Sequence, residues 1–305
     1  DLKTKEDRSL FLNMIAKADI FIQNFSPTTV TKLRIDSSSL KSINPRLICC
    51  DISGYGEAPE MMKKKSYDLL IQAESGLIDV SGSPEGLGRI GVSICDIGAG
   101  MAAHAGIVES LLLRERFNKV KDVKISLFDV AADWMTVPYI HSKYGGAAPK
   151  RVGLKHPSIA PYGAFQCSEN TSFIISIQNE LEWKRFCVEV LKTPALAKEN
   201  KFSSNTLRVK NRDLLDETIQ SILSSLTDKT LKNRLEEASI AYGRLNTVKD
   251  LERHLALKKI SVRNSLDNSL AIPSPPLIWE DSEKKAPKFN QHNEQLRAEF
   301  NETKK

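Results

Sequence analysis

Residues 46–54 read Arg46-Leu47-Ile48-Cys49-Cys50-Asp51-Ile52-Ser53-Gly54, an apolar run of strand length that stops at a glycine. It is the second of its kind. Ala18-Asp19-Ile20-Phe21-Ile22 precedes it, fed by a helical pattern in which Leu10, Phe11, Met14 and Ile15 recur between Thr4 and Ala18. Between the two runs, Pro27 breaks the chain after Asn24-Phe25, and a second helical stretch is expected over Thr31 to Ile43. Short apolar runs separated by helices are what a parallel sheet needs, because parallel neighbours cannot be joined by a tight turn. The first part of the chain is therefore expected to be α/β.

Further along, Gly, Pro, Met and Lys fill a loop from Gly54 to Lys65, a helical stretch follows at Tyr67 to Gly76, and a turn follows at Ser81 to Gly88. Gly91-Val92-Ser93-Ile94-Cys95-Asp96-Ile97-Gly98 reads as a strand-like run. It leads into a long helix that carries Met101, Ala105, Val108 and Leu112 on one face and ends in Arg114-Glu115-Arg116, where cations suit the dipole. A strand is expected at Asp122 to Phe128 and another helix from near Asp129. Residues 1–143 thus form a large α/β domain. Residues 144–161, where Gly, Pro, Lys and Arg accumulate, read as a linker or active-site loop. Residues 162–258 fit a smaller α+β domain, with a strand at Phe173 to Ile177 and helices at Glu180 to Leu191, Arg208 to Leu226 and Thr230 to Ala238. Pro273, Pro275, Pro276 and Pro287 mark residues 259–305 as an extended tail returning to the large domain. No internal repeat is visible.

The 305 residues carry 44 Lys and Arg against 38 Asp and Glu, a net charge of +6 spread along the chain. The basic runs Lys63-Lys64-Lys65 and Arg114 to Lys124 lack the interleaved aromatics of a single-strand stacking surface, so no nucleic-acid partner is indicated. No 18-residue run is free of charged or strongly polar groups, and the mean hydropathy is −0.30, so no membrane span is expected. Cys49, Cys50, Cys95, Cys167 and Cys187 show no C-x-x-C or Cys/His ligand spacing. Reduced thiols in the cytoplasm, or in the mitochondrial matrix of a eukaryote, are expected, and no metal. The usual nucleotide and hydrolase signatures are missing. His104 reads as a satisfied core histidine of the long helix.

Asp96 sits where the strand-like run gives way to Ile97-Gly98-Ala99-Gly100. Small residues there let a bulky partner approach. An Asp at such a junction is commonly an N-cap. The helix dipole would also keep it ionised, as nucleophilic attack on an activated carbonyl requires. Spacing alone does not choose between cap and nucleophile.

Eight motifs occur in order: Asn24-Phe25-Ser26-Pro27; Ile43-Asn44-Pro45-Arg46-Leu47-Ile48; Ile52-Ser53-Gly54-Tyr55-Gly56; Tyr67-Asp68-Leu69-Leu70-Ile71-Gln72-Ala73; Val92 through Met101; Ser126-Leu127-Phe128-Asp129; His156-Pro157-Ser158-Ile159-Ala160-Pro161-Tyr162; and Ala241-Tyr242-Gly243-Arg244-Leu245-Asn246. Together they resemble the family III CoA-transferases, which include formyl-CoA:oxalate CoA-transferase and are related to the 2-methylacyl-CoA racemases. The resemblance covers nearly the whole chain. It implies a Rossmann-like large domain, incomplete at its N-terminus, with a smaller α+β domain, and an interlocked homodimer. It implies CoA transfer from an acyl-CoA thioester to a carboxylic acid, with coenzyme A as substrate and no metal. Asp96 falls on the catalytic aspartate, which forms an aspartyl anhydride and then an aspartyl-CoA thioester. Tyr67 falls on an active-site tyrosine expected to hydrogen-bond. Asn24, Phe25, Lys32, Lys65 and Lys3 match residues that hold CoA. The segment from Asp133-Trp134-Met135 to His156-Pro157-Ser158 resembles members that handle short dicarboxylic acyl groups, with succinyl-CoA as the implied donor.

The racemase branch places His where this chain has Tyr67, and a tyrosine with a reference pKa of about 10 suits proton exchange poorly, so transferase is favoured. A racemase-like proton-transfer enzyme is one alternative, and an inactive remnant that keeps CoA affinity is another. Two departures stand out. Phe117-Asn118-Lys119-Val120-Lys121 replaces a Thr-Gly-x-Gly turn, and the glycine loop over the catalytic Asp is missing, with Gly145-Gly146 and the 156–162 loop as stand-ins. Family members begin with a strand and a loop ahead of the position matching Asp1, so the chain is expected to be truncated there.

Overall fold

A computed structural model describes residues 1–277 and 284–301. It divides into two compact units, Asp1–Arg151 with Lys288–Lys305, and Val152–Pro287. The tail positions 278–283 and 302–305 lie outside the described residues.

The first unit opens with helix α1, Lys5–Lys17, started by Thr4, whose hydroxyl accepts the Asp7 N–H. Strand β1, Ile20–Gln23, follows. The single helix expected from Thr31 is instead two short ones, α2 at Pro27–Leu33 and α3 at Ser37–Lys41. Arg34 between them is left-handed at φ 48°, and Asp36 starts α3 by accepting the Ser39 N–H at 3.0 Å, so a local cap overrides the longer periodicity. Strand β2, Ile48–Ser53, follows. Helices α4, Asp68–Glu74, and α5, Leu77–Val80, come next, then a small hairpin of β3, Gly82–Ser83, and β4, Gly86–Leu87. The long helix α6 spans Ile94–Phe117, strand β5 Val123–Ser126, and helices α7 and α8 Leu127–Trp134 and Thr136–Tyr144.

The large sheet is parallel in the order β1-β2-β5, with Ile22 beside Cys50 and Ile52 beside Ile125. Cys49 packs on one face with Ile15, Val30, Ile35 and Leu40. Ile48 and Cys50 pack on the other with Ala103, Ile107 and Val123. Both faces are covered, which is why β2 reads as a continuous apolar run.

Residues 91–93 form a bend and the helix begins at Ile94, so the strand expected over 91–98 is absent. A short apolar run cannot by itself tell strand from helix, and here the first turn is secured by side chains distant in sequence. The face carrying Met101, Val108 and Leu112 is open, at 70%, 51% and 50% exposure, while Ala99, Ala103 and Ile107 turn inward. His104 also lies on the open side and is no core residue. After α6, Asn118 takes the left-handed position at φ 52°, its N–H reaching Arg114 O and that of Lys119 reaching Leu113 O. Asn118 thus does the work of a helix-ending glycine in the departed turn.

The second unit has an antiparallel sheet β6-β7-β8, from Tyr162–Gln166, Ser172–Ser176 and Ala241–Arg244. Helix α9, Glu180–Arg185, continues as a π turn over Phe186–Val190; α10, α11 and α12 span Asn205–Lys210, Arg212–Leu223 and Asp228–Glu237. They bury Trp183, Phe186, Ile219 and Leu231 against Phe173 and Ile175. A short helix α13, Val248–Leu251, leads to a second sheet in which β9, Lys259–Arg263, pairs with β10, Ser269–Pro273, and β11, Lys284–Lys285. The chain then returns to the first unit with α14, Asn293–Asn301. Asn13 Nδ2 donates to Phe300 O at 2.9 Å, Lys17 lies over the Phe300 ring, and Arg297 pairs with Asp7.

Candidate active site

The carboxyl ends of parallel strands are where open α/β sheets bind ligands. A cavity of about 820 Å³ opens there, walled by the segments after β1 and β2, the start of α7 and the first turns of α6. Gln23, the last residue of β1, shapes the first wall. Its Nε2 donates to Asp51 Oδ1 at 2.8 Å and its Oε1 accepts the Phe25 N–H at 2.6 Å, so Asn24 and Phe25 turn towards the opening. After β2, Ser53 Oγ accepts the Gly56 N–H at 3.1 Å and Gly54 O accepts that of Phe128 at 3.0 Å.

Across the cavity lies the loop carrying Met61, Met62 and Lys63 to Lys65. Lys64 is held by Glu74 at 2.6 Å and sits over the Tyr55 ring, while Lys63 and Lys65 have no ion pair among the described residues. The three charges make this side of the cavity attractive to anions. Tyr67 follows at the start of α4, 69% exposed and lining the same space.

Asp96 lines the cavity from the first turn of α6, three residues after the N-cap Ser93, so it is not the cap. Ala99 and Gly100 beside it keep the wall low. Its carboxylate makes no hydrogen bond among the described residues. Burial and then the charge of Asp68 push its pKa up, against the pull of the helix dipole. Cys95 next to it is buried, and burial with the Asp68 charge pushes its thiol up to about 11, so it stays a thiol near neutrality. All five cysteines are free and buried.

The cavity thus brings together Asn24, Phe25, Lys65, Tyr67 and Asp96. Lys32, exposed at the far end of α2, and Lys3, exposed before α1, do not line it. Sequence reading passed over Gln23, which shapes the wall, and Asp68, which secures the first turn of α6 by accepting the Cys95 N–H. Asp68 carried a signal in its place directly after Tyr67, but its partner lies 27 positions on. Among the described residues no cluster of His, Cys, Asp and Glu could hold a metal, and no helix is long and apolar enough to cross a membrane.

An α/β fold with an anion-attracting cavity around an open carboxylate suits an enzyme that handles acyl thioesters. Comparison with known proteins makes the assignment. The pattern of CoA-transferase family III matches residues 1–293, and the chain belongs to that family; it is a CoA-transferase. The acetyl-CoA:oxalate CoA-transferase of Acetobacter aceti is 31% identical over 98% of this chain and 78% of its own length. The succinate–glutarate CoA-transferase of Agrobacterium fabrum is 25% identical over 98% of this chain and 77% of its own. The crystal structure of a CAIB/BAIF family protein from Brucella suis superposes with a TM-score of 0.84 at 30% identity, covering 98% of this chain and 80% of that one.

Proposed function

We propose that the protein moves coenzyme A from an acyl-CoA thioester to a short dicarboxylic acid, with Asp96 as covalent nucleophile. One Asp96 oxygen attacks the thioester carbonyl carbon. The C–S bond breaks, CoA leaves as thiolate, and an acyl-aspartyl anhydride remains. The thiolate then attacks the aspartyl carbonyl, releasing the donor acid as carboxylate and leaving an aspartyl-CoA thioester. The acceptor carboxylate attacks that thioester, which frees thiolate again and gives a second anhydride. Thiolate attack on the acceptor carbonyl forms the new acyl-CoA and restores Asp96. Each step exchanges one anion for another, so no proton or further reactant is consumed.

The observation that carries this reading is the Asp96 carboxylate, open to a cavity and tied by no hydrogen bond among the described residues, where a bound thioester would meet it at high effective concentration. Tyr67 lines the same cavity, and its hydroxyl is the donor we assign to the carbonyl oxygen under attack. Asn24, Phe25 and Lys65 suit the CoA moiety, Phe25 by its half-exposed ring and Lys65 by its free charge. The substrates in the names of the two relatives, acetyl-CoA with oxalate and succinate with glutarate, support short dicarboxylates, and succinyl-CoA is the first donor to try.

A second copy of the chain is the proposed partner. The apolar face of α6, open at Met101, Val108 and Leu112, is the surface we propose it covers. Five buried free thiols suit a reducing compartment such as the cytoplasm or the mitochondrial matrix.

The test is to quench the protein with succinyl-CoA and look by mass spectrometry for CoA bound to the peptide containing Asp96. The adduct is expected in the wild type and absent from Asp96→Asn, which should lose transfer by several orders of magnitude. A folded Asp96→Asn protein that transfers CoA at close to the normal rate would end the reading.

A further inference from the structure

The first turn of a helix leaves main-chain N–H groups with no acceptor inside the helix, and an N-cap side chain usually takes one. In α6 the N-cap Ser93 makes no such bond. The acceptor comes from α4 instead, where Asp68 Oδ1 takes the Cys95 N–H at 2.8 Å. Its other oxygen, Oδ2, accepts Gln72 Nε2 at 2.7 Å, one turn along the same helix. Gln72 also grips residue 90, its Oε1 accepting the Ile90 N–H at 3.0 Å and its Nε2 reaching Ile90 O at 3.4 Å. Both side chains are buried, at 8% and 0% exposure, and neither lines the cavity.

Two side chains of α4 therefore hold the chain at residues 90 and 95, on either side of the bend that launches α6 and directly before Asp96. We infer that Asp68 and Gln72 are positioning residues, fixing the first turn of α6 and with it the direction in which Asp96 meets the thioester. The inference rests on the reading of Asp96 as nucleophile.

The clamp has an electrostatic side. A helix N-terminus on its own favours an anion and would weaken Asp96 as a base and nucleophile. Asp68 brings a negative charge to the same turn and opposes that field. The charged groups on elements packed against α6 include Asp68 and Glu74 on α4, Asp51 on β2, Lys124 on β5 and Asp129 and Asp133 on α7; Lys63 to Lys65 face it across the cavity. Of these, Asp68 is bonded to the N–H of Cys95, the neighbour of Asp96, and its charge raises the Asp96 pKa. Asp96 is thereby kept more basic than a first-turn carboxylate would be.

The experiment compares wild type, Asp68→Asn and Gln72→Met by kcat and KM against pH, with circular dichroism to check folding and amide hydrogen exchange at Cys95 in the wild type. Asp68→Asn should lower kcat by about tenfold or more with KM for acyl-CoA little changed, and should move the acid limb of kcat to lower pH. Gln72→Met should lower kcat without moving that limb, because the Asp68 charge stays. The Cys95 amide should be protected from exchange. A folded Asp68→Asn protein with unchanged kcat and acid limb overturns the inference; if that variant does not fold, free exchange at Cys95 or a normal kcat in Gln72→Met does so. The Asp96–CoA adduct separates the two readings. Its absence from the wild type sinks the nucleophile, whereas its presence with an unmoved limb sinks only the clamp.

Discussion

Gly54 makes room for Ser66. A Cβ built on Gly54 would stand 2.0 Å from Ser66 Oγ and 2.2 Å from its Cβ, so the Ser66 side chain, at the end of the lysine loop, packs directly on the Gly54 backbone in the turn after β2. Gly54→Ala is expected to cost about 1–3 kcal/mol by overpacking and to raise KM for acyl-CoA, because both segments line the cavity. Ser66→Gly in the same protein should restore both, whereas Ser66→Ala should not. Chemical denaturation and a KM series on the three variants check this.

Asp96 should set activity against stability. Its pKa is raised in the fold, so its contribution to stability is full below the unfolded value and is lost as pH rises through the folded one. Asp96→Asn should therefore melt higher than wild type at pH 7 while being inactive, and the gap should close as pH falls and the wild-type carboxyl protonates. Melting curves at a series of pH values read this directly. A variant less stable at pH 7 would contradict it.

Arg208 should be costly to remove. It is 1% exposed, and its guanidinium donates to Glu180 at 2.7 and 2.9 Å, to Ala160 O at 2.7 Å and to Phe202 O at 3.1 Å, with the Trp183 ring beneath it. Arg208→Ala strands these acceptors and should destabilise the second unit by about 3–5 kcal/mol. The Arg208 bond holds Glu180 below its ordinary value, so its contribution is present above the unfolded pKa and lost as pH falls through the folded one. Glu180→Gln should remove that part of the acid dependence, measured by denaturant titration between pH 3 and 7.

Lysines near the cavity should not be equivalent. Lys65→Ala should raise KM for acyl-CoA several-fold with kcat retained, and the effect should shrink as salt is added. Lys3→Ala and Lys32→Ala should leave KM unchanged, since neither side chain lines the cavity. Equal effects from all three would show that CoA follows another path.

What could be read in the sequence followed from local physics. Ile48, Cys49 and Cys50 announce a strand because both faces of β2 are covered, and Leu10 and Ile15 announce α1 because their spacing matches one buried face. The start of α6 could not be read in the same way. Its capping carboxylate is Asp68, far back in the chain, so residues 91–98 kept the look of a strand. Within the cavity, Tyr67 and Asp96 stand on motifs, whereas Lys32 shares a short helix with cavity residues and points its end of it elsewhere. Register along a motif says which segment arrives at a site, not which side chain of it does.

The helix that closes the described chain, α14, lies on the helix that opens it, held by Asn13, Lys17 and Asp7. Protease nicking within residues 152–287 would therefore sever the backbone without releasing the C-terminal fragment from the N-terminal one. The nicked protein should elute as a single species under native conditions and part only in denaturant.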